Sequence, residues 1–340
     1  MKGRGLHRIV VLSDLHLGEK GSMLSGADVV RRLIGELREL GHIDRLILLG
    51  DIWDLWRTSL AAAAEEGRAF FDALSSWDGP DEVDLVVGNH DFHLESFYQE
   101  RRTRWELGWS EAEEGSMVIK GRAGPRKTVC CSGDLCLRQA YPFLHLEVQE
   151  KSVLLLHGHH LDFFSGSFWW AKSSWLSRWI LGLTSGIAIG DIDRLNKPFF
   201  ELLTVTAHVP ELVSREYRFY RLLRSAARLL RFQSKSGASL RRYTSLEQNT
   251  RAAGEVLTRL LPGYIPDVLV FGHTHKAGLG RLDLGGRTVF LANCGCWLED
   301  TGDEDAGIYL VVDDRLRICR LGEGEVTGIP LGSPHTFVEG

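Results

Sequence analysis

Five short apolar runs in the chain each end in a residue able to hold a metal ion, and this recurrence restricts the fold more than any other feature. Ile9-Val10-Val11-Leu12 leads through Ser13 to Asp14 and His16, and Leu46-Ile47-Leu48-Leu49 leads to Gly50-Asp51. Leu85-Val86-Val87 leads to Gly88-Asn89-His90-Asp91, and Val153-Leu154-Leu155-Leu156 runs into His157-Gly158-His159. Val268-Leu269-Val270-Phe271 runs into Gly272-His273-Thr274-His275. Runs of this length, often β-branched, read as strands buried on both faces. In open α/β sheets, functional groups collect just beyond the carboxyl ends of such strands. Five strand ends of this kind predict one shared site.

The segments between the runs alternate in character. Val30, Leu33, Ile34 and Leu37 give Ala27 to Leu40 a helical period, closed by Gly41. Ala61 to Trp77 reads as one alanine-rich helix ended by Asp78-Gly79-Pro80, and a third helix covers His93 to Leu107. Ser116 to Leu156 reads as strands and turns, with a hairpin-type loop at Gly121 to Lys127. Glu247 to Leu261 is helical again, and strands follow at Arg287 to Ala292, Ile308 to Val312 and Leu316 to Arg320. The pattern predicts an α/β core of residues 1–160 and 256–330, interrupted by a mostly helical insertion, or lid, at 161–255.

Asp14, His16, Asp51, Asn89, His157, His273 and His275 form a mixed oxygen and imidazole set. Such a set suits Mn²⁺ foremost, or Fe²⁺ or Zn²⁺, and its four histidines argue against Mg²⁺. It is too large for one ion and suits two divalent ions sharing a bridge, for which Asp51, following Gly50, is the natural residue. Two ions about 3.5–4 Å apart clamp the oxygens of a phosphoryl group and make hydroxide available near neutral pH. None of the six cysteines falls at a ligand position or in a CxxC pair, which fits catalysis better than a closed structural zinc site.

The blocks DLH at 14–16, GDIWD at 50–54, GNHD at 88–91, HGH at 157–159 and GHTH at 272–275 resemble the calcineurin-like metallophosphoesterases. The resemblance runs from position 9 to 297 and includes Asn293-Cys294-Gly295-Cys296-Trp297, where the family often has an N-x-G-S-like turn. It implies a four-layer α/β/β/α sandwich with a dinuclear site at the strand ends. Asp14, His16, Asp51 and His275 would hold one ion, and Asp51, Asn89, His157 and His273 the other. With Asp51 and Asn89, His90 completes the expected catalytic set; it would steady an equatorial phosphoryl oxygen or protonate the leaving group. Asp54 and Asp91 are expected to support the ligands or fix loops. His42, His145, His208 and His335 read as surface or core residues. His159 and His160 are candidates for substrate contact or for gating the insertion.

Within the insertion, Trp169, Trp170, Trp175 and Trp179 crowd into eleven residues, and Arg215, Arg218, Arg221, Arg224, Arg228 and Arg231 recur every three or four. The second pattern is a basic amphipathic helix, either a solvated face or a contact for anionic lipid headgroups or a phosphorylated, acyl-bearing substrate. Trp169, Trp175, Arg218 and Arg221 are the substrate-binding candidates of the insertion. A helical lid between HG and GHTH, with SDLHLG, GNxDF and GHTH, resembles the UDP-2,3-diacylglucosamine pyrophosphohydrolases of lipid A synthesis. Two positions depart from that branch: His90 stands in place of arginine, and His159 in place of aspartate.

The expected function is therefore hydrolysis of a phosphodiester or pyrophosphate by a metal-bridging hydroxide. The expected substrate is an acylated nucleotide sugar at the inner membrane surface. The alternatives are a soluble nucleotide phosphatase, a cyclic phosphodiesterase or a nuclease of the same superfamily, and, from another class, a non-catalytic scaffold. The complete ligand set argues against the scaffold. A net charge of −5 gives no global reason to expect nucleic acid. The N-terminal apolar stretch is too short for a signal peptide, and no apolar run reaches the roughly 18–20 residues of a bilayer span. A cytoplasmic protein, peripheral at most on the inner membrane, is expected.

Overall fold

The computed structural model describes residues 6–106, 117–119, 126–132, 135–165, 188–206, 246–299 and 304–331. Its strands are β1 (Ile9–Leu12), β2 (Arg45–Leu49), β3 (Glu82–Val86), β4 (Met117–Ile119), β5 (Arg126–Ser132), β6 (Leu135–Tyr141), β7 (Phe143–Val148), β8 (Lys151–Leu156), β9 (Val268–Phe271), β10 (Ala277–Leu284), β11 (Arg287–Cys294), β12 (Ile308–Val312), β13 (Arg315–Arg320) and β14 (Gly324–Pro330). They form one sheet in the order β14-β13-β12-β1-β2-β3-β6-β5-β4 and a second in the order β10-β11-β9-β8-β7. In the first, β1, β2, β3 and β6 are mutually parallel; in the second, β8, β9 and β11 are. All five apolar runs are strands at the centres of these sheets.

Alternation along each run builds the layers, because successive side chains of a strand point to opposite faces. Ile9, Val11, Ile47 and Leu49 meet Val153, Leu155, Val268 and Val270 in a core between the sheets. The intervening residues face outward: Val10, Leu12, Leu46 and Leu48 pack on Leu33 and Leu37 of α1 (Ala27–Glu39) and on Phe70 and Leu74 of α3 (Arg68–Ser75). On the far side, Leu154, Leu156, Leu269 and Phe271 pack on Ala252 and Ala253 of α7 (Leu246–Glu255) and on Val256 and Leu257 of the π-helical turn that continues it. The result is the expected helix–sheet–sheet–helix sandwich.

Several local expectations are revised. The helix expected over 61–77 is two, α2 (Leu60–Glu66) and α3, divided at Gly67, where a Cβ would lie 2.7 Å from Leu17 Cδ1. Strands β10 and β14 escaped notice because β10 alternates half-buried with exposed residues and β14 lies at a sheet edge with little apolar content. Helix α4 (His93–Glu106) matches its expected span. Within 161–255 the described helices of four residues or more are α5 (Asp162–Ser165), α6 (Ile189–Thr206) and α7. The tryptophan-rich and arginine-bearing segments, with Trp169, Trp175, Arg218 and Arg221, lie outside the described residues. No helix among the described residues is long and apolar enough to cross a membrane.

Asp84 breaks the apolar character of β3 and is fully buried. Its Oδ2 accepts from Arg45 Nη1 on β2 and Arg138 Nη2 on β6, each at 3.1 Å, so one carboxylate ties three parallel strands. Replacing it with asparagine keeps the shape and removes the charge-assisted bonds. Asp84→Asn should lower stability by about 1–3 kcal/mol, read as an earlier urea midpoint with an unchanged slope.

Candidate metal centre

Parallel pairing puts the carboxyl ends of β1, β2 and β3 at one end of the first sheet, and those of β8 and β9 at one end of the second. Packing of the sheets sets these ends side by side, and the loops beyond them are cross-linked. Asp14 N–H donates to the Gly50 carbonyl (3.1 Å), His16 N–H to that of Asp51 (2.9 Å) and Gly272 N–H to that of His157 (2.8 Å). Asp14, His16, Asp51, His273 and His275 all have left-handed backbones, with φ of 56°, 48°, 52°, 66° and 53°. Such a conformation costs a side-chain-bearing residue about 1–3 kcal/mol and persists where surrounding bonds enforce it. Gly272 is required by close approach: a Cβ there would lie 2.0 Å from Ser13 Oγ and 2.4 Å from Asp14 Oδ2.

The seven ligand candidates converge. Asp51 Oδ1 accepts the His90 backbone N–H at 2.8 Å, which leaves Oδ2 facing the pocket. That oxygen is 3.1 Å from His157 Nε2 and 3.9 Å from both His16 Nε2 and His90 Nε2. On one side, His16 Nε2 is 3.1 Å from His275 Nε2, which is 3.3 Å from Asp14 Oδ1. On the other, His157 Nε2 is 3.2 Å from Asn89 Oδ1, and His273 stands in one group with Asp51 and His157. Two donor groups thus meet at Asp51, one with Asp14, His16 and His275 and the other with Asn89, His157 and His273.

Tautomers decide whether these donors fit an ion. His157 Nδ1 donates to the Leu49 carbonyl at 2.9 Å, and His16 Nδ1 donates to Asp54 Oδ2 at 3.1 Å. Each Nε2 is left facing acceptor atoms across the pocket, at Asp51 Oδ2 and Asn89 Oδ1 for His157 and at His275 Nε2 for His16, so a proton or a metal cation must lie between them. Metal bonds of about 2.0–2.2 Å place neighbouring donors about 3–3.5 Å apart, the spacing of the His157–Asp51, His157–Asn89, His16–His275 and His275–Asp14 pairs, while His16 stands 3.9 Å from Asp51. The electrostatics agree. Burial opposes charge on His157, yet Asp51 and Asp14 pull its pKa up to about 10. Burial likewise opposes charge on His16, but its bond to Asp54 and the charges of Asp54, Asp51 and Asp14 raise it to about 9. Burial pushes the Asp51 carboxyl upward, and the His157 and His90 charges more than reverse this, holding it well below its usual value. The pocket demands positive charge, and the residues fit a pair of divalent cations.

Supporting groups surround the ligands. Asp54 Oδ1 accepts from His90 Nδ1 at 2.9 Å while its Oδ2 takes His16, so one carboxylate orients both rings. Trp56 stacks on His90, with centroids 3.9 Å apart and planes at 25°. Asp91 accepts from Gly88 N–H (2.6 Å) and Ile52 N–H (2.8 Å), clamping the turns after β2 and β3; burial and the Asp51 charge raise its pKa to about 6. Asp162, unremarked in the sequence, accepts from His273 Nε2 at 2.8 Å, which leaves Nδ1 as the ring nitrogen available to a metal ion. Its position five residues after His157 was the one available signal. His159 and His160 are buried, each bonded through Nε2 to Asp193 on α6, a residue that no motif marked. The trio His42, Asp44 and Asp81, with His42 and Asp81 exposed and Asp44 half-buried, lies apart from this centre.

A family model described as calcineurin-like phosphoesterase matches residues 7–277. Among solved structures, the chain is similar to a dimetal phosphatase from Danio rerio, with 13% identity over 96% of this chain and 99% of that one and a TM-score of 0.41. It is also similar to a conserved uncharacterised protein from Streptococcus pneumoniae TIGR4, at 12% identity over 96% and 99% with a TM-score of 0.33. A purple acid phosphatase from yellow lupin (Lupinus luteus) seeds gives 11% identity over 99% of this chain and 58% of that one, with a TM-score of 0.38. No curated protein matches the chain.

Two outcomes are expected. Asp54→Asn should weaken divalent-metal affinity about 10–100-fold without unfolding the chain, measured by metal titration with circular dichroism as the control. Because His16 and His157 favour their protonated forms below about 9 and about 10, loading metal at pH 7 should expel protons. Calorimetry in buffers of differing ionisation enthalpy should detect the release, and it should fade as the pH rises through those values.

Proposed function

The chain belongs to the calcineurin-like phosphoesterase family and is a metal-dependent phosphohydrolase; from that premise we propose that it is a dinuclear phosphoesterase cleaving a phosphodiester or pyrophosphate P–O bond. The observation that carries this reading is the meeting of both donor groups at Asp51 Oδ2 with His90 beside them. When bound, a divalent pair supplies Lewis acidity at a phosphoryl oxygen and lowers the pKa of water. Asp14, His16, Asp51 and His275 would hold one ion, and Asp51, Asn89, His157 and His273 the other. His90 donates its Nδ1–H to Asp54 and stacks on Trp56, which holds Nε2 toward Asp51 Oδ2, where it would offer a proton to a bound phosphoryl group. That proton steadies an equatorial oxygen or passes to the leaving oxygen.

For the substrate we propose an acylated nucleotide sugar of the UDP-2,3-diacylglucosamine type, met at the membrane surface, with Mn²⁺ as the resident ion. The reading is supported by the SDLHLG, GNHDF and GHTH blocks and by the tryptophans and arginines of the insertion, Trp169, Trp175, Arg218 and Arg221 among them.

The test incubates the protein and Mn²⁺ with UDP-diacylglucosamine, bis-p-nitrophenyl phosphate and free nucleotides, comparing kcat/KM. All turnover should stop with a chelator, and the acylated substrate should lead; absence of metal-dependent turnover on every substrate would refute the assignment. Asp51→Ala should lower kcat/KM by about 10³-fold, about 4 kcal/mol of transition-state stabilisation. Replacing Trp169 and Trp175 with alanine should depress turnover of the acylated substrate more than that of the chromogenic diester.

A further inference from the structure

Helix α6 carries a carboxylate into the interior. Asp193 is fully buried; its Oδ1 is 2.7 Å from His159 Nε2, its Oδ2 is 3.0 Å from His160 Nε2, and Tyr141 Oη donates to Oδ2 at 2.7 Å. A buried carboxylate is tolerable only when donors satisfy it, and here three do. Two turns along the same helix face, Phe200 packs on Phe92 (centroids 5.4 Å apart), on Trp56 (5.7 Å) and on His159 (6.1 Å). A polar and an apolar anchor therefore fasten α6 beside the metal centre.

His159 is where this fastening reaches the chemistry. Its ring lies 5.6 Å from that of His157 and 6.2 Å from that of His273, both ligand candidates. With the Nε2 proton given to Asp193, the ring's remaining lone pair is on Nδ1, which is buried and has no partner among the described residues. We propose that Asp193 is a positioning residue: it fixes His159 in the Nε2–H tautomer, with a bare acceptor at Nδ1 beside the second donor group, and so makes α6 part of the active centre. The inference rests on the phosphoesterase reading and deepens it. A bare acceptor takes only a hydrogen-bond donor, so a group meeting His159 Nδ1 must bring a proton, which an unprotonated phosphoryl oxygen does not.

The test joins spectroscopy to kinetics. Long-range ¹H–¹⁵N correlation spectra of the wild type, with His159 assigned by its loss in His159→Ala, should show the Nε2–H tautomer; an Nδ1–H tautomer would overturn the proposal whatever the variants do. Asp193→Asn should redistribute that tautomer and lower kcat about 10–100-fold with two metal equivalents still bound. In a His159→Ala background the same substitution should cost less than about twofold, because residues acting through one another are not additive. Additive losses would mark Asp193 as structural only, and a third metal equivalent lost in Asp193→Asn would mark the trio as a metal site; either result overturns the proposal. Should the wild type hydrolyse no phosphoester, the functional reading fails while the tautomer still decides this one.

Discussion

Asp51 sits in a left-handed turn with one carboxylate oxygen bonded to the His90 backbone and the other 3.1 Å from His157 Nε2. That second oxygen is shared by imidazoles from both sheets, and the rest of the centre is arranged around it. A carboxylate this deeply buried is costly unless positive charge meets it. The protein meets the cost by ringing it with nitrogen donors whose far sides are already committed. The Leu49 carbonyl holds His157 and Asp54 holds His16 and His90, so each ring presents one defined nitrogen to the pocket.

The sandwich supplies the rigidity that such an arrangement needs. Side chains of both sheets interdigitate between the layers, and close-packed interiors of this kind resist displacement. The strained loops are therefore mounted on strands that cannot shift to relieve them. Five left-handed non-glycine residues at the strand ends are the visible result. Each carries a candidate ligand side chain.

Helix α6 adds a second layer of control. It touches the centre through His159 and the aromatic stack through Phe200, so its placement bears on both sides of the reaction site. Helix α6 and the loop after β8 are thereby coupled through buried contacts and not merely through chain connectivity. A hydrogen-bonded carboxylate is suited to this task because its donors must be in register.

The architecture and the ligand candidates were legible in the sequence because both are local patterns. A buried parallel strand is written as an uninterrupted apolar run, and a ligand at its carboxyl end follows within two or three residues, as at Leu49-Gly50-Asp51. The break of the second helix at Gly67 was not legible, since it depends on Leu17, which approaches from another loop. Strand β10, half-exposed along its length, carried no apolar run to announce it. The sequence alone thus determined a two-sheet α/β protein with candidate metal ligands gathered at its strand ends. Only the tertiary structure decided which atoms face the pocket, that Asp162 and Asp193 serve His273 and His159, and that Trp56 carries His90. Those pairings join residues distant along the chain through hydrogen bonds and ring contacts made when water is excluded, and such contacts impose no periodicity on the sequence that forms them.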